Sequence, residues 1–284
     1  TKLSDEIDVL MASQPHGIYS NGTAGEFYAQ TEDEFDRISM ILAEKCEKAG
    51  LLFQIGVNHM SPQISLERLR RIRHLRPGAV QVILPDWFPV NLEEAIVFLQ
   101  RMEAEAEGIP LVLYNPPHAK KVLSPSEWAK LKKQVPSLAG VKVSDQDGSP
   151  DWYAQMRMHN EGLSVFIPGH RLATGIGFGA HGTYSNMACL NPFAARRWYD
   201  LILKDMGAGL ELENRIGLFM KRFIEPLITV HHYPNHACDR FMAVLGQWAD
   251  VGDRLRWPYR SVPSDYATVI RKEARALIPE FFSK

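Results

Sequence analysis

The stretch LAGVKVS, residues 138–144, is a short β-rich run that is apolar on both faces apart from a single lysine, Lys142. Strands buried on both faces are typical of parallel sheets that are covered by helices. Six further runs of this kind lie along the chain: HGIYSNG (16–22), LFQIGVN (52–58), AVQVILP (79–85), LVLYNPP (111–117), SVFIPG (164–169) and GTYSN (182–186). Segments of helical periodicity, such as residues 32–50 and 65–75, separate these runs and predict parallel βαβ units.

The number and spacing of the strands favour a (β/α)8 TIM barrel over a doubly wound sheet. Seven strands leave such a barrel one strand short, and the chain starts with a helix-like segment that should follow a strand. Because an open barrel would expose unpaired edges, we expect the first strand to lie upstream of Thr1. Only helical segments follow Asn191-Pro192. The sequence therefore predicts a barrel over residues 1–205 and a helical appendage, a C-terminal bundle packed on the barrel, over residues 206–284.

Composition limits the kinds of partner that the protein can have. The 284 residues are 45% hydrophobic and carry a net charge of −1, and the scattered Lys and Arg argue against nucleic acid or an anionic membrane as the main partner. No apolar stretch reaches the roughly 18 residues of a membrane span and no secretory signal is visible, so we expect a cytoplasmic protein. The widely spaced Cys46, Cys189 and Cys238 do not indicate a disulfide framework.

Lys142 needs a physical reason to lie in an apolar strand, because burying an ammonium costs several kcal/mol unless it is paired or loses its proton. One interpretation is a structural ion pair inside the barrel. The other is that burial lowers the lysine pKa, so that a neutral amine can attack a ketone and form a Schiff base. Catalytic groups of TIM barrels project from the C-terminal ends of strands, where Lys142 is expected beside Tyr114, the GTAGE loop (22–26) and the segment Gly169-His170-Arg171.

Each of these neighbours also has two interpretations. Tyr114 could exchange protons with a substrate, or it could be a packed aromatic with a satisfied hydroxyl. The GTAGE loop could cradle an anion with successive backbone N–H groups, or it could be a tight turn whose glycines supply positive φ. His170 and Arg171 could contact a distal carboxylate of the substrate, or they could form a surface salt bridge.

Two further patterns predict no cofactor. The segment GFGAHG, residues 177–182, matches G-x-G-x-x-G but precedes a strand instead of opening a helix, so we do not expect a dinucleotide site there. Five potential metal ligands in the helical appendage lack a recognised ligand spacing, and we expect a solvated or interface group. They are His231, His232, His236, Cys238 and Asp239.

The ordered set of GTAGE, YNPP, GVKVS with its lysine 28 residues after Tyr114, and GAHGTYSN with NP just beyond, resembles the dihydrodipicolinate synthase and N-acetylneuraminate lyase family of class I aldolases. The resemblance runs from about residue 5 to residue 192. It implies a (β/α)8 barrel with a C-terminal helical bundle, assembled as a homo-oligomer that is a dimer or a dimer of dimers. It also implies that Lys142 is the Schiff-base lysine and Tyr114 the proton-shuttling phenol.

The resemblance assigns substrate-binding residues as well. The Thr23 hydroxyl and the backbone of Ala24 match the loop that holds the carboxylate of a 2-oxo acid in this family, and we count Thr23 with the catalytic group. The other residues that we expect to bind substrate are Ser144, His170, Arg171, Tyr184 and Trp87. Trp87 falls where the family often has a tyrosine that crosses the dimer, so the usual proton relay between two tyrosines is in doubt.

Other departures from the family pattern concern the substrate. Ala24 replaces a second hydroxyl residue of the loop, so one carboxylate contact must come from the backbone alone. Dihydrodipicolinate synthases carry an arginine where this chain has Ala119 beside Lys120, which argues against lysine biosynthesis. Sialate lyases place acidic residues where this chain has Arg171 and Leu172, which argues against sialic acid.

The sequence thus predicts a lyase that acts on a 2-oxo acid through a Schiff base, by aldol cleavage or condensation or by dehydration of a 3-deoxy-2-oxo sugar acid. We expect no metal or organic cofactor, because the iminium is itself the electron sink. A non-catalytic barrel that binds a 2-oxo acid, as a sensor or assembly partner, is the first alternative. A metal-dependent aldolase is the second.

Overall fold

A sheet of seven parallel strands forms the centre of the computed structural model, which describes residues 1–159 and 161–283. Each strand pairs with the next one along the chain. The strands are β1 (Ile18–Ser20), β2 (Phe53–Gly56), β3 (Ala79–Ile83), β4 (Leu111–Asn115), β5 (Leu138–Val143), β6 (Ser164–Pro168) and β7 (Gly182–Tyr184). All seven predicted strands are therefore confirmed.

Side chains of the first and last strands meet inside the sheet. The ring centroids of Tyr19 on β1 and Tyr184 on β7 are 5.2 Å apart, and the Tyr184 hydroxyl donates to Gln54 Oε1 on β2 at 2.5 Å. The sheet is thus curled into a barrel with a filled interior. Among residues 1–159 and 161–283, β1 and β7 each pair with one strand only. The expected strand upstream of Thr1 stays a prediction.

Helices follow the strands and then continue alone towards the C-terminus. They are α1 (Lys2–Ala12), α2 (Glu32–Ala49), α3 (Pro62–Ile72), α4 (Leu92–Glu105), α5 (Pro125–Gln134), α6 (Pro150–His159), α7 (Leu172–Gly177), α8 (Asn186–Leu190), α9 (Pro192–Lys204), α10 (Met206–Phe219), α11 (Glu225–Thr229), α12 (Asn235–Gly246) and α13 (Ser264–Leu277). Capping boxes start three of them: Thr31 with Glu34, Asn91 with Glu94, and Ser124 with Glu127. These reciprocal side-chain bonds satisfy N–H groups that a helix start leaves free. Within the described part of the chain, no helix is both long and apolar enough to cross a bilayer.

The buried apolar side chains form two cores. One extends from Ile7 to Ile167 and joins the sheet to the helices around it. The other extends from Leu172 to Phe281, so α8 and α9 pack with the C-terminal helices. Trp198 on α9, for example, lies with its ring centroid 6.4 Å from that of Phe281. The division of the chain at residue 205 stays a prediction.

Candidate active site at the C-terminal ends of the strands

Lys142 and Tyr114 are direct neighbours across two parallel strands. They are register partners on β5 and β4, so alternation along each strand turns both side chains to the same face. The Lys142 Nζ atom lies 4.0 Å from the ring centroid of Tyr114 and 5.2 Å from that of Tyr184. The amine is therefore held between aromatic faces, an arrangement that attracts a cation.

The Lys142 side chain is partly buried and has no direct ionic partner among the described residues. Burial lowers its pKa to about 8, while the charge of Asp239 acts in the opposite direction. Among the described residues, no carboxylate lies within 4.0 Å of Nζ, so the structural ion pair considered from the sequence is not formed. At neutral pH roughly a tenth of such an amine is unprotonated, compared with less than about a thousandth of an ordinary lysine.

Tyr114 brings its phenol to the same position. The pKa of Tyr114 is raised to about 12, because burial and, to a smaller extent, the charge of Asp239 outweigh the opposite effect of a side-chain hydrogen bond with Thr23. The phenol is therefore protonated at neutral pH and available as a proton donor. Three residues singled out in the sequence, Lys142, Tyr114 and Thr23, are thus together in space.

The loop that carries Thr23 and Ala24 presents unused backbone donors. Its turn is closed by two bonds, Glu26 N–H to the Thr23 carbonyl at 3.0 Å and Phe27 N–H to the Gly22 carbonyl at 3.3 Å. In the described structure the N–H groups of Thr23, Ala24 and Gly25 have no acceptor. The tight turn and the anion cradle are therefore compatible, since the turn leaves three consecutive N–H groups to bind an anion.

Neighbouring segments fix this loop in place. The buried carboxylate of Glu26 accepts the Arg256 backbone N–H at 2.8 Å, and Asn58 Nδ2 donates to the Asn21 carbonyl at 3.0 Å. Gly22 is required, because a Cβ atom there would lie 2.5 Å from the Tyr19 ring. The loop is thus preorganised by a residue from the C-terminal tail as well as by the barrel.

A polar network inside the barrel was not predicted from the sequence. The Tyr19 hydroxyl donates to Gln81 Oε1 at 2.5 Å and accepts from Asn58 Nδ2 at 3.0 Å. Tyr184 donates to Gln54, and the Nε2 atoms of both glutamines are buried without a partner in the described residues. Tyr19, Gln54 and Gln81 lie in strand runs that the sequence analysis interpreted as apolar on both faces. Their polar side chains were the only sign in the sequence that the barrel interior contains a hydrogen-bond network.

The helical appendage contributes a second group that sequence reasoning missed. Asp239 on α12 is partly buried, and its charge acts on the pKa values of both Lys142 and Tyr114. Burial raises the pKa of Asp239 to about 6, and Lys142 partly offsets this rise. Cys189 on α8 also interacts electrostatically with Lys142, and burial raises the pKa of its thiol. The sequence named Asp239 only as a potential metal ligand, and its one further signal was helical spacing, which places it on the same face as His236.

The remaining predicted binding residues are less closely grouped. Ser144 follows β5 directly and is partly buried, without a hydrogen bond in the described structure. His170 lies with Nδ1 at 3.1 Å from Asn186 Nδ2, and burial lowers its pKa. The Arg171 guanidinium lies 3.2 Å from the Asp147 carboxylate, as the salt-bridge interpretation expects.

Trp87 and Ala24 lie at the surface. The side chain of Trp87 is 75% exposed, and Lys120 Nζ lies 5.5 Å from its ring and donates to its carbonyl at 2.8 Å. Ala24 is exposed at the tip of its loop. No hydrogen bond, ion pair or ring contact joins Trp87 to Lys142 or Tyr114 in the described residues. The substrate-binding roles of these residues and of Ser144, His170, Arg171 and Tyr184 stay predictions.

The five potential metal ligands of the helical appendage do not converge. His231 and His232 are exposed, whereas His236 is buried with its ring centroid 4.8 Å from that of Tyr259. Across residues 1–159 and 161–283, no group of three or more His, Cys, Asp or Glu side chains is arranged to hold a metal ion. The GFGAHG segment runs from the last residue of α7 to the first residue of β7, so it leads into a strand as predicted.

The curled sheet of parallel strands is that of a TIM-barrel protein. Its candidate site, formed by a lysine, a tyrosine and an N–H-rich loop, lies at the C-terminal ends of the strands, where active sites of this fold are found. The family follows from comparison with known proteins. The family model described as the dihydrodipicolinate synthetase family matches residues 1–266, and the chain belongs to this family.

Relatives and solved structures agree with this assignment. An uncharacterized DapA-like lyase of Thermococcus kodakarensis is 31% identical over 50% of this chain and 48% of its own length. The N-acetylneuraminate lyase of Gallus gallus is 30% identical over 50% of this chain and 47% of its own length. The chain thus spans about half the length of these two curated relatives.

The solved structures establish the fold. A prophage protein of the dihydrodipicolinic acid synthase family from E. coli K12, crystallised in complex with pyruvate, matches with a TM-score of 0.82 at 15% identity. The match covers 96% of this chain and 91% of that chain. The predicted (β/α)8 fold and the predicted family are confirmed, and the expectation of a class I lyase is confirmed at the level of family membership.

Proposed function

We propose that this protein is a lyase that binds a 2-oxo acid as a Schiff base on Lys142. It then cleaves or forms a carbon–carbon bond by aldol chemistry, or dehydrates a 3-deoxy-2-oxo sugar acid. The observation that carries the proposal is the partly buried Lys142 amine, whose pKa is lowered to about 8 by desolvation and which lies 4.0 Å from the Tyr114 ring centroid. Family membership supports the same chemistry.

The proposed reaction begins with attack of the neutral Lys142 amine on the C2 carbonyl. The carbinolamine hydroxyl leaves as water when Tyr114 donates its proton, and a protonated imine remains. Aldol cleavage then breaks the C3–C4 bond, whose electrons move into the imine to give an enamine, while the Tyr114 phenolate takes the proton of the C4 hydroxyl. In the dehydration, the Tyr114 phenolate takes a proton from C3 to give the enamine, and then donates it to the C4 hydroxyl, which the enamine expels as water.

The loop that carries Thr23 would hold the substrate carboxylate. A carboxylate accepts several hydrogen bonds, and the unused N–H groups of Thr23, Ala24 and Gly25 are suitable donors beside the Thr23 hydroxyl. Because Ala24 has no hydroxyl, its contribution is the backbone donor. Binding at this loop would direct the adjacent carbonyl towards Lys142.

The substrate belongs to the pyruvate type. The prophage protein of similar fold was crystallised with pyruvate, which supports a small 2-oxo acid as the common element. Ala119 and Arg171 remain the arguments against lysine biosynthesis and sialic acid. We also propose that the protein is a homo-oligomer, as the family resemblance implies.

A non-catalytic barrel that binds a 2-oxo acid is the second candidate. The exposed Trp87 and the loss of a hydroxyl at Ala24 favour it, since both positions depart from the family pattern. Such a protein would form the Lys142 adduct without turning it over. Exchange of the C3 protons of pyruvate with deuterium, which requires the enamine, distinguishes a catalyst from a binder.

The test is borohydride reduction in the presence of pyruvate, followed by peptide mass mapping. We expect a reduced pyruvyl adduct on Lys142 that is lost in Lys142→Met and kept in Lys130→Met, a matched change at an exposed lysine. A chelator should leave the adduct unchanged, whereas loss of activity with the chelator would favour a metal-dependent aldolase. No adduct with pyruvate or with larger 2-oxo acids would contradict the proposed function.

A further inference from the structure

Asp239 is the acidic side chain that approaches the Lys142 amine from the helical appendage. Two contacts place its helix, α12, against the segment that follows Thr23. The ring centroids of His236 and Tyr28 are 5.4 Å apart, and Arg240 Nη2 lies 3.8 Å from Glu26 Oε2. Asp239 lies between these two contacts along the helix, so it belongs to the surface that α12 turns towards the strand ends.

The Asp239 carboxylate has no bonding partner in the described structure. It makes no hydrogen bond and no ion pair within 4.0 Å among residues 1–159 and 161–283. Besides Lys142, the groups on which its charge acts are neutral at ordinary pH: the phenols of Tyr28 and Tyr114 and the thiols of two cysteines. The side chain is only partly buried, so its carboxylate is open to accept a hydrogen bond from a ligand.

We propose that Asp239 selects the substrate by charge, accepting a hydrogen bond from a hydroxyl or ammonium group of the bound 2-oxo acid and excluding 2-oxo dicarboxylates. This inference rests on the proposed function, because it concerns the part of the substrate that extends beyond Lys142 and Tyr114. The Thr23 loop takes one carboxylate, and Asp239 repels a second.

Two cations near the site, Arg171 and Arg240, are each already paired with a carboxylate. The Arg171 guanidinium lies 3.2 Å from Asp147 and 3.8 Å from Asp145, in the loop after β5. Two like charges in a site of low dielectric repel each other by an amount that changes binding by about tenfold to a hundredfold. The charges around Lys142 therefore favour a monoanion with a neutral, hydroxylated or cationic extension.

The experiment compares two acids of equal chain length, 2-oxopentanoate and 2-oxoglutarate, which differ in a distal methyl or carboxylate group. The rate of borohydride-trapped adduct formation at Lys142 is measured for the wild type and three variants. We expect the wild type to form the adduct faster with 2-oxopentanoate than with 2-oxoglutarate. In Asp239→Asn, the rate with 2-oxoglutarate relative to that with 2-oxopentanoate should rise by about tenfold or more. Asp239→Glu keeps the charge and should keep the wild-type preference. Asp265→Asn removes an equal charge from an exposed position of α13 and should also keep it.

The pH dependence supplies an independent readout. Because burial raises the pKa of Asp239 to about 6, the wild-type discrimination should weaken as the pH falls below about 6, and Asp239→Asn should not show this change. The titratable groups that interact with the Asp239 charge are Lys142 on β5, Tyr114 on β4, Tyr28, Cys189 and Cys238. Of these, Lys142 titrates nearest, at a pKa of about 8.

The outcomes separate the two proposals. A Lys142 adduct with 2-oxopentanoate in every variant, but an unchanged preference in Asp239→Asn, would overturn the role of Asp239 and leave the Schiff base standing. Absence of any adduct in the wild type would overturn the proposed function itself. An adduct of Asp239→Asn with 2-oxopentanoate shows that the variant is folded, so a changed ratio reports selectivity.

Discussion

The groups around the Lys142 amine come from the barrel on one side and from the helical appendage on the other, and the two sets differ in charge. We call them the barrel side and the helical side. On the barrel side, Tyr114 and Tyr184 are uncharged aromatic groups fixed by strand pairing. On the helical side, Asp239 is an acidic group without a hydrogen-bond partner among the described residues. The barrel side therefore supplies burial, which lowers the lysine pKa, whereas the helical side supplies a charge that raises it.

This difference suggests a division of roles between the two regions. Strand register couples Tyr114 to Lys142, so a change in their spacing would disturb the sheet itself. Asp239 is attached to a helix that no strand pairing constrains, so its side chain can change without altering the register. We infer that the barrel side determines the common chemistry and that the helical side adjusts selectivity.

Removal of the Tyr114 phenol should have the largest effect on turnover. Tyr114→Phe keeps the ring beside Lys142 and deletes the proton donor, so exchange of the pyruvate C3 protons should fall by about a hundredfold to ten-thousandfold. NMR in deuterium oxide measures the exchange, and borohydride trapping should still give the Lys142 adduct, although more slowly because the carbinolamine loses its proton donor. Exchange at the wild-type rate would show that Tyr114 is only a packed aromatic.

Removal of the Thr23 hydroxyl should weaken binding. Thr23→Val deletes one hydrogen bond to the substrate carboxylate while keeping the side-chain volume. Because of this loss, the half-saturating concentration of pyruvate for adduct formation should rise by about tenfold to a hundredfold. Thr23→Ser retains the hydroxyl and should stay within about threefold of the wild type. Equal behaviour of the two variants would mean that the backbone alone holds the carboxylate.

Neutralising the helical side should shift a pH profile. Asp239 raises the pKa of Lys142, so Asp239→Asn should move the midpoint of adduct formation from about pH 8 towards lower pH, by up to about one unit. The rate of pyruvate adduct formation as a function of pH measures this midpoint, with Asp265→Asn as the control of equal charge. A midpoint that stays the same or rises would show that the charge of Asp239 does not act on Lys142.

The smallest effect is expected for the interior network. Tyr184→Phe keeps the ring near Lys142 and removes the bond to Gln54, so the free energy of unfolding should fall by about 1 kcal/mol while the adduct rate stays within about threefold. Thermal denaturation and trapping measure the two quantities. A loss of exchange as large as that of Tyr114→Phe would instead give Tyr184 a direct part in proton transfer.

The fold could be predicted from sequence because its signals are local. Each strand run is contained in a few consecutive residues, and so is each capping box, as in Thr31 with Glu34 before α2. The pairing of Tyr114 with Lys142 followed from their positions at the ends of neighbouring strands. The burial that lowers the Lys142 pKa followed from the apolar residues around it.

What could not be predicted depends on contacts between distant segments. Asp239 reaches the site only because α12 packs against the segment after Thr23, about two hundred residues away in sequence. Hydrophobic periodicity indicates that a helix has a buried face, but not what that face meets. The exposure of Trp87 has a similar cause, because it depends on how the loop after β3 is oriented.

The central claim is that burial makes Lys142 a reactive amine at neutral pH. The most direct measurement is the initial rate of pyruvate adduct formation at Lys142, quenched with borohydride and quantified by peptide mapping across a range of pH. The account predicts a rate that rises about tenfold per pH unit and levels off near pH 8. A rate that keeps rising towards the ordinary lysine value of 10.5, or an adduct on another lysine, would contradict it.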